Sequence, residues 1–259
     1  MKSILSTIIL FFATVLLCLA KDYTEAGDSA YMNDDFPRAI SLYEQALKEN
    51  GTSSTLYYNL GNAYYRDGNY GKSILNYNRA LKLNPSNSDA RTNLDFVNSK
   101  IVDKPNDNST LTEKIGNNVV TYLEADLWAW ITLGVFLMFI CCVAGYIFCN
   151  GIMLRKTFFF GGLVLLVLTI SGIIISVNAA SRVTADNQAI ITASSVQLGT
   201  SPRVPKNKAE EAFLLHEGTQ VEIVDSLSTT TDNVQEKWYE VKVDSEHRAW
   251  INAKDVERI

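Results

Sequence analysis

The 259-residue sequence predicts a multidomain fold in which helical hairpins, a two-helix membrane hairpin and a small all-β barrel follow one another along the chain. Three observations support this prediction. The chain repeats itself before position 101 with a period of about 34 residues, and two uncharged apolar runs follow the repeats. In the last part of the chain, short runs alternate between apolar and polar residues, which is the pattern of half-buried strands.

The two apolar runs, 127–148 and 157–177, predict transmembrane helices because neither contains an acidic or basic residue. At about 1.5 Å of rise per residue, a helix of either length spans a hydrocarbon core of roughly 30 Å. Lipid offers peptide groups no hydrogen-bond partner, so each run must be helical. A buried hairpin within a soluble domain is the alternative, and two adjacent uncharged runs of this length argue against it.

The turn between the runs, 149–156, carries two adjacent cations, Arg155 and Lys156, whereas the acidic residues Glu124 and Asp126 precede the first run. Short loops rich in Lys and Arg stay on the cytoplasmic side of a membrane. The charge asymmetry therefore predicts a cytoplasmic turn, and it predicts that the segments before 127 and after 177 share the opposite compartment.

Residues 1–20 have the pattern of a secretory signal peptide, with Lys2 near the start, an apolar stretch and small residues at Cys18 and Ala20. An uncleaved anchor helix is the alternative, and bulky Leu17 argues against lipid attachment at Cys18. Export of this end agrees with a cytoplasmic turn. We therefore expect a two-pass membrane protein with both soluble domains on the side opposite the cytoplasm.

Composition and motifs argue against several classes of function. A net charge of −5 disfavours nucleic acid as a partner, and the four cysteines lie in the signal or at the first apolar run. The exported domains therefore have no disulfide, thiol chemistry or cysteine-based metal site. No His-Glu-x-x-His motif or phosphate-binding glycine loop occurs, and His216 and His247 are isolated. We expect no enzyme, no metal site and no cofactor.

A shift of about 34 residues superposes much of the segment before position 101 on itself. The coinciding pairs include Gly27 with Gly61, Tyr43 with Tyr77, and Ala46 with Ala80. This period and residue set resemble the tetratricopeptide repeat family, with two repeats and a capping helix over 22–101. Pro85 closes the second copy by stopping its second helix, whereas Gly51 stands at that place in the first copy.

The resemblance implies that small residues let the paired helices approach closely and that aromatic rings fill the space between them. The residues assigned to repeat packing are Gly27, Ala46, Gly61, Tyr77, Ala80 and Pro85.

Such repeats bind peptide segments in a groove lined by the first helix of each pair. That groove would present Tyr31, Tyr58, Asn62, Tyr65 and Arg66. Some members of the family hold a C-terminal carboxylate with Lys and Asn side chains, and Asn62 and Arg66 fit that role loosely. Asp28 stands where an Asn is expected and would repel a carboxylate. Packing between helices is the alternative role for each tyrosine.

Residues 102–126 are interpreted as a linker followed by a surface helix. The linker is polar and contains Pro105, while apolar residues recur at helical spacing over 111–123. This pattern predicts an amphipathic helix at the membrane surface, leading to Trp128 and Trp130 at the level of an interfacial aromatic belt.

The segment 183–259 is predicted to form a small barrel of short strands. The predicted strands are 189–198, 212–216, 220–225, 238–243, 249–252 and 256–259. The polar breaks between them are 199–208, 227–236 and 244–247.

Short motifs in this segment resemble the bacterial SH3-like family. They are Thr-Ala-Ser-Ser-Val at 192–196, Leu-His-Glu-Gly-Thr-Gln-Val at 215–221, Trp-Tyr-Glu-Val at 238–241 and Ala-Trp-Ile at 249–251. The resemblance implies a small SH3-like barrel. Trp238 and Trp250 would either stack a ligand on an SH3-like face or close the core, and the core is the favoured role.

The order of signal, tetratricopeptide repeats, membrane hairpin and SH3-like domain resembles the BatE-type group of the Bat aerotolerance family. The resemblance implies membrane-bound von Willebrand A-domain partners, a MoxR-type ATPase and a role in oxygen stress. Together with the predicted topology, it implies a two-pass protein of the bacterial inner (cytoplasmic) membrane with both soluble domains on the periplasmic side. We expect a non-enzymatic, membrane-anchored protein–protein interaction scaffold. The alternative is a cell-wall protein that binds peptidoglycan peptides through the SH3-like domain. A transmembrane sensor is disfavoured because the predicted turn is so short.

Overall fold

The computed structural model describes residues 23–103, 125–184, 187–231, 234–243 and 247–259. The predicted signal peptide and the predicted surface helix at 111–123 lie outside these residues, as does most of the predicted linker.

The first part of the described chain is a set of five consecutive α-helices. They are α1 (Tyr23–Met32), α2 (Phe36–Asn50), α3 (Ser54–Arg66), α4 (Tyr70–Leu83) and α5 (Ser88–Asn98). Each helix packs against the next one in the chain, so the helices form hairpins as predicted, with α5 at the predicted position of the capping helix.

Short polar side chains set the starts of these helices. The caps are Asp35, Ser53, Asn69 and Asn87, and each accepts a hydrogen bond from a backbone N–H three residues later. In the turn before α4, Gly68 has a φ of 86°, a left-handed conformation that costs glycine little.

Two glycines allow aromatic rings to fill the space between paired helices. A Cβ atom at Gly27 would lie 2.6 Å from the Tyr43 ring, and one at Gly61 would lie 2.8 Å from the Tyr77 ring. Any larger residue would have to displace a buried tyrosine. Ala46 and Ala80 are wholly buried in the same layers. Pro85 follows α4 directly after the extended residue Asn84.

The middle of the chain is a hairpin of two apolar helices, α6 (Ala125–Phe148) and α7 (Ile152–Thr184). Both are long and apolar enough to cross a membrane. The helix α7 begins at Ile152 rather than 157, so the connection is 149–151 and Arg155 lies at the start of the helix. It also continues past 177, and its 33 residues measure about 50 Å, longer than the roughly 30 Å hydrocarbon core.

Small residues mark the seam between α6 and α7. A Cβ at Gly172 would lie 2.6 Å from the Thr132 hydroxyl oxygen, and one at Gly145 would lie 2.8 Å from the Phe158 ring. The Thr132 hydroxyl donates to the Trp128 carbonyl within its own helix, so this buried polar group is satisfied. Close approach at small residues is a common way for helices to associate in lipid.

The last part is a seven-stranded antiparallel sheet among the described residues. Its strands are β1 (Gln188–Ile191), β2 (Ser195–Gly199), β3 (Glu211–His216), β4 (Gln220–Thr231), β5 (Val234–Lys242), β6 (Arg248–Asn252) and β7 (Val256–Arg258). The strand order is β3-β2-β6-β5-β4-β1-β7, with β3 and β7 at the two ends, so the sheet is open.

Two predictions about the strands were wrong. The predicted strand 189–198 is two strands, because the chain turns between Ile191 and Ser195 and β1 and β2 then pair with different neighbours. The predicted break 227–236 consists largely of the paired arms of a β4–β5 hairpin, in which Leu227 lies opposite Trp238. Cross-strand pairing supports polar residues in a strand that their own propensities would not predict.

The strand β1 joins the sheet to the helices. Ala189 and Ile191 belong to the core of the sheet, whereas Ile190 points the other way, as alternation along a strand requires. Ile190 is completely buried in a cluster with Ile74 and Ile101 from the helical part. The helices and the sheet therefore share buried surface, and the hairpin is not their only connection.

Candidate peptide-binding groove

The groove is built around hydrogen bonds that converge on one side chain from each repeat. In the first repeat, Oδ1 of Asp28 on α1 accepts a hydrogen bond from the Tyr43 hydroxyl at 2.6 Å. The same oxygen accepts a second bond from Nδ2 of Asn59 on α3 at 3.2 Å. Three helices are thereby tied together at the base of the groove.

The second repeat uses the same arrangement one repeat period later in the chain. Oδ1 of Asn62 accepts from the Tyr77 hydroxyl at 2.6 Å and from Nδ2 of Asn93 at 2.9 Å. Asn93 on α5 thus takes the place that Asn59 has in the first repeat, so α5 acts as the first helix of a third unit. This role was not predicted from sequence, although Asn59 and Asn93 are also one repeat period apart.

Both tyrosines remain hydrogen-bond donors at physiological pH. Burial raises the pKa of Tyr43, and its hydrogen bond to Asp28 raises the pKa further. Burial also raises the pKa of Tyr77, despite hydrogen bonds with Ser73 and Asn93 that act in the opposite direction. Because an unperturbed tyrosine already titrates only near pH 10, neither ring ionises in use.

A cavity of about 150 Å³ opens above the first repeat. It is lined by Asp28, Tyr31, Met32, Tyr43, Asn59 and Asn62. Pockets that bind whole small molecules usually measure about 300–1,000 Å³, so this cavity suits a single side chain of a larger ligand. Met32 is 84% exposed at its edge and offers an adaptable apolar contact.

Two of the five predicted groove residues, Tyr31 and Asn62, line this cavity. The other two tyrosines do not. Tyr58 packs against the helical core with its ring centroid 6.1 Å from that of Tyr77. The ring of Tyr65 is tilted against Tyr70 and meets Phe96 edge-on. Both tyrosines thus make packing contacts between helices, and each remains partly exposed.

Arg66, the fifth predicted residue, already interacts with an acidic and an aromatic side chain of its own chain. Its guanidinium lies 2.9 Å from Oδ1 of Asp34 and 4.6 Å from the centroid of the Phe36 ring. A carboxylate ligand at Arg66 would have to compete with Asp34, so the structure gives no support to a carboxylate-binding role for this residue.

Trp238 and Trp250 lie on the face of the sheet opposite its core. Their neighbours Tyr239 and Ile251 face the core cluster, and side chains alternate along each strand. Trp238 is only 3% exposed, so it does not present a stacking surface, while Trp250 is partly buried. Trp238 is one of the buried hydrophobic residues, although it lies outside the cluster that contains Tyr239 and Ile251.

A second polar site, which was not predicted from sequence, holds the helices and the sheet together. Asp103 accepts hydrogen bonds from the His216 backbone N–H at 2.7 Å and from the Thr219 hydroxyl at 2.9 Å, and it lies 3.2 Å from Nδ1 of the His216 ring. Burial by itself would raise the pKa of Asp103, but these bonds more than offset it and lower the pKa below its ordinary value.

Side chains of α4 also cover the edge strand β7. Arg79 donates to the Arg258 carbonyl at 2.6 Å, and Lys82 donates to the backbone oxygen of Ile259 at 3.0 Å. These bonds satisfy carbonyls that an open sheet edge would leave to solvent or to another strand. The sheet docks on α4 and on residues 101–103, which follow α5, so it leaves the cavity between α1 and α3 open.

No group of three or more His, Cys, Asp or Glu side chains that could hold a metal ion occurs within the described parts of the chain.

Comparison with known proteins identifies the nature of the helical part. None of the curated proteins compared with the chain matches it. Residues 24–88 match the family model described as Tetratricopeptide repeat, which agrees with the period of the sequence and with the paired helices. Residues 24–88 of this chain are therefore a tetratricopeptide repeat region, a module that typically mediates protein–protein interactions rather than catalysis.

Proposed function

We propose that this protein is a non-enzymatic, membrane-anchored scaffold whose tetratricopeptide groove holds a peptide segment of a partner protein. The observation that carries the proposal is the open cavity between α1 and α3, which the docked sheet leaves uncovered. The cavity has the size for one side chain, and polar groups from both repeats line it.

The contact between the repeats and the sheet supports a hairpin through the membrane. Parts that touch, as Ile190 touches the helical cluster, must lie in the same compartment. The chain between them must then cross a membrane an even number of times, and two apolar helices lie there. Arg155 and Lys156 at the connected end favour a cytoplasmic turn, so we place both soluble parts in the periplasm.

Two finer assignments belong to this proposal. We assign the sheet to the SH3-like class because of the motifs at 215–221 and 238–241. The strand order is that of an open sheet, so the assignment rests on these motifs alone. We assign the chain to a Bat-type membrane complex linked to aerotolerance, with von Willebrand A-domain partners, on the order of its segments.

Site-specific photocrosslinking in native membranes tests the groove. A photoreactive amino acid at Met32, at the edge of the cavity, should capture a membrane-protein partner. The same amino acid at Lys237, exposed on β5, is the matched control and should not capture that protein. Equal capture at the two positions, or no capture at Met32, would contradict the scaffold.

Single-cysteine reporters test the topology. With the native cysteines replaced, cysteines introduced at Glu49, Thr200 and Asn150 are all exposed to solvent or membrane surface. A membrane-impermeant thiol reagent should label the first two in cells with a permeabilised outer membrane, and the third only after the inner membrane is opened. Labelling of Glu49 and Thr200 from opposite sides would exclude the shared compartment.

The alternative function, binding of peptidoglycan peptides through the sheet, has weaker support because burial of Trp238 removes one of its two aromatic candidates. Sedimentation of the full chain with purified sacculi tests it. We expect wild type and a Trp250→Ala variant to sediment equally little, and Trp250-dependent sedimentation would favour the alternative.

A further inference from the structure

The two repeats differ at one position in the groove. Asp28 and Asn62 lie one repeat period apart and accept the same pair of hydrogen bonds, from a tyrosine hydroxyl and from an asparagine amide. The first repeat therefore places a carboxylate where the second places a neutral amide.

The fold does not need this negative charge. Asn62 shows that an amide oxygen can accept both bonds, at 2.6 and 2.9 Å. In Asp28, both bonds end on the single oxygen Oδ1. Among the described residues, Oδ2 of Asp28 accepts no hydrogen bond, so half of the carboxylate is available to a ligand.

Asp28 is not neutralised by any cation among the described residues that line the cavity. It is the one charged residue of the six in that lining. Arg66 of the second repeat, whose guanidinium lies 6.0 Å from the centroid of the Tyr31 ring, forms its ion pair with Asp34. A half-buried carboxylate without a counter-charge gains most from a ligand that brings a positive charge and a donor.

The remaining walls suit the stem of a long basic side chain. Met32 offers an apolar contact for methylene groups, and the Tyr31 ring, over which Arg66 lies at 6.0 Å, forms an aromatic wall beside Asp28. A carboxylate ligand would be repelled by the negative charge of Asp28.

Resting on the proposed peptide-binding function, we propose that this cavity binds an arginine or lysine side chain of the partner peptide, with Asp28 as the residue that sets this preference. The specificity is the reverse of carboxylate recognition, and it resides in the first repeat alone.

The test selects peptides from a random display library on the full chain in lipid nanodiscs. Three proteins are compared: wild type, Asp28→Asn, and Glu49→Gln, which removes one exposed negative charge outside the cavity. Peptides selected by wild type and by Glu49→Gln should share an arginine or lysine at one aligned position. The Asp28→Asn variant should still select peptides, but without that enrichment.

A double-mutant cycle measures the size of the effect. Replacing the shared basic residue of a selected peptide with glutamine should weaken binding to wild type about tenfold, as loss of a charge-assisted hydrogen bond implies. The same change should alter binding to Asp28→Asn less than about threefold. Hydrogen exchange of α1–α3 should rise only by the difference between a charged and a neutral acceptor for the Tyr43 hydroxyl, since Asn62 shows that an amide can accept both bonds.

The results distinguish failure of the charge preference from failure of peptide binding itself. Enrichment of basic residues that persists in Asp28→Asn, or selected peptides without a basic residue, would overturn the charge preference and leave peptide binding intact. Selection of no peptide by any of the three proteins would overturn both.

Discussion

The backbone amide of Gly71 donates a hydrogen bond to Oε2 of Glu217 at 3.1 Å, although the residues lie 146 positions apart in the chain. Gly71 is at the start of α4, and the position of its missing side chain lies 2.9 Å from the Ile191 carbonyl oxygen. The tetratricopeptide repeats and the sheet can approach this closely because residue 71 has no Cβ. Their contact places the sheet away from the cavity that Asp28 and Tyr31 line.

We predict that Gly71→Ala separates the repeats from the sheet. The added Cβ would meet backbone atoms, which yield less easily than a side chain, at a cost of about 1–3 kcal/mol. Hydrogen exchange of the His216 amide, which donates to Asp103, should rise about tenfold. Gly161→Ala, where a Cβ meets nothing within 4 Å, is the control and should leave the exchange unchanged.

We predict that docking of the sheet on the repeats weakens in acid. The pKa of Asp103 is lower in the docked state than its ordinary value of 3.8, so the undocked carboxyl binds protons more readily. Docking is therefore fully supported above about pH 4 and is lost as the pH falls through the lowered pKa. Energy transfer between labels at Glu49→Cys and Thr200→Cys measures it.

The matched variant for this prediction is Asp103→Asn, which cannot titrate. It should dock less well at pH 7 and should show a smaller change between pH 5 and pH 3. Two further carboxylates act across the contact, since Glu217 accepts a bond from the Gly71 amide and Glu257 lies 3.7 Å from Arg79, so some acid dependence should remain. An unaltered acid response in Asp103→Asn would contradict the assignment.

We predict that Tyr43→Phe destabilises the repeats more than Tyr77→Phe. The first change removes a hydrogen bond to the charged Asp28, worth about 1.5–3 kcal/mol, and the second removes one to the neutral Asn62, worth about 0.5–1.5 kcal/mol. Hydrogen exchange in α1–α3 and in α3–α5 measures the two effects in the full chain. Equal losses would show that the charge of Asp28 does not strengthen its bond.

We predict that Gly172→Val disrupts the apolar hairpin whereas Gly134→Val does not. A Cβ at Gly172 would lie 2.6 Å from the Thr132 hydroxyl oxygen, whereas one at Gly134 meets nothing within 4 Å. Both changes add the same β-branched side chain to a helix, so helix propensity is matched. Thermal unfolding in nanodiscs should begin at a lower temperature for Gly172→Val alone, and similar behaviour of the variants would argue against this seam.

The elements with strong local periodicity were predictable from the residues. The repeat spacing predicted the helical hairpins, Gly61 and Tyr77 predicted their close packing, and two uncharged runs predicted the apolar helices. The strands were less predictable, because the β4–β5 hairpin is held together by pairing between residues whose own preferences are weak. Of the five residues predicted to line a groove, Tyr31 and Asn62 line the cavity.

The amino-acid order alone determined which segments are repeats, apolar helices and strands, because those properties depend on the spacing of residues that are near neighbours. Only the tertiary structure decided that Ile190 is buried among the helices and that Asp103 accepts hydrogen bonds from His216 and Thr219 of the sheet. It also decided which aromatic rings Tyr58 and Tyr65 contact. Those outcomes depend on surfaces that meet between segments distant in the chain, where pairing is governed by shape and by available hydrogen-bond partners rather than by local pattern.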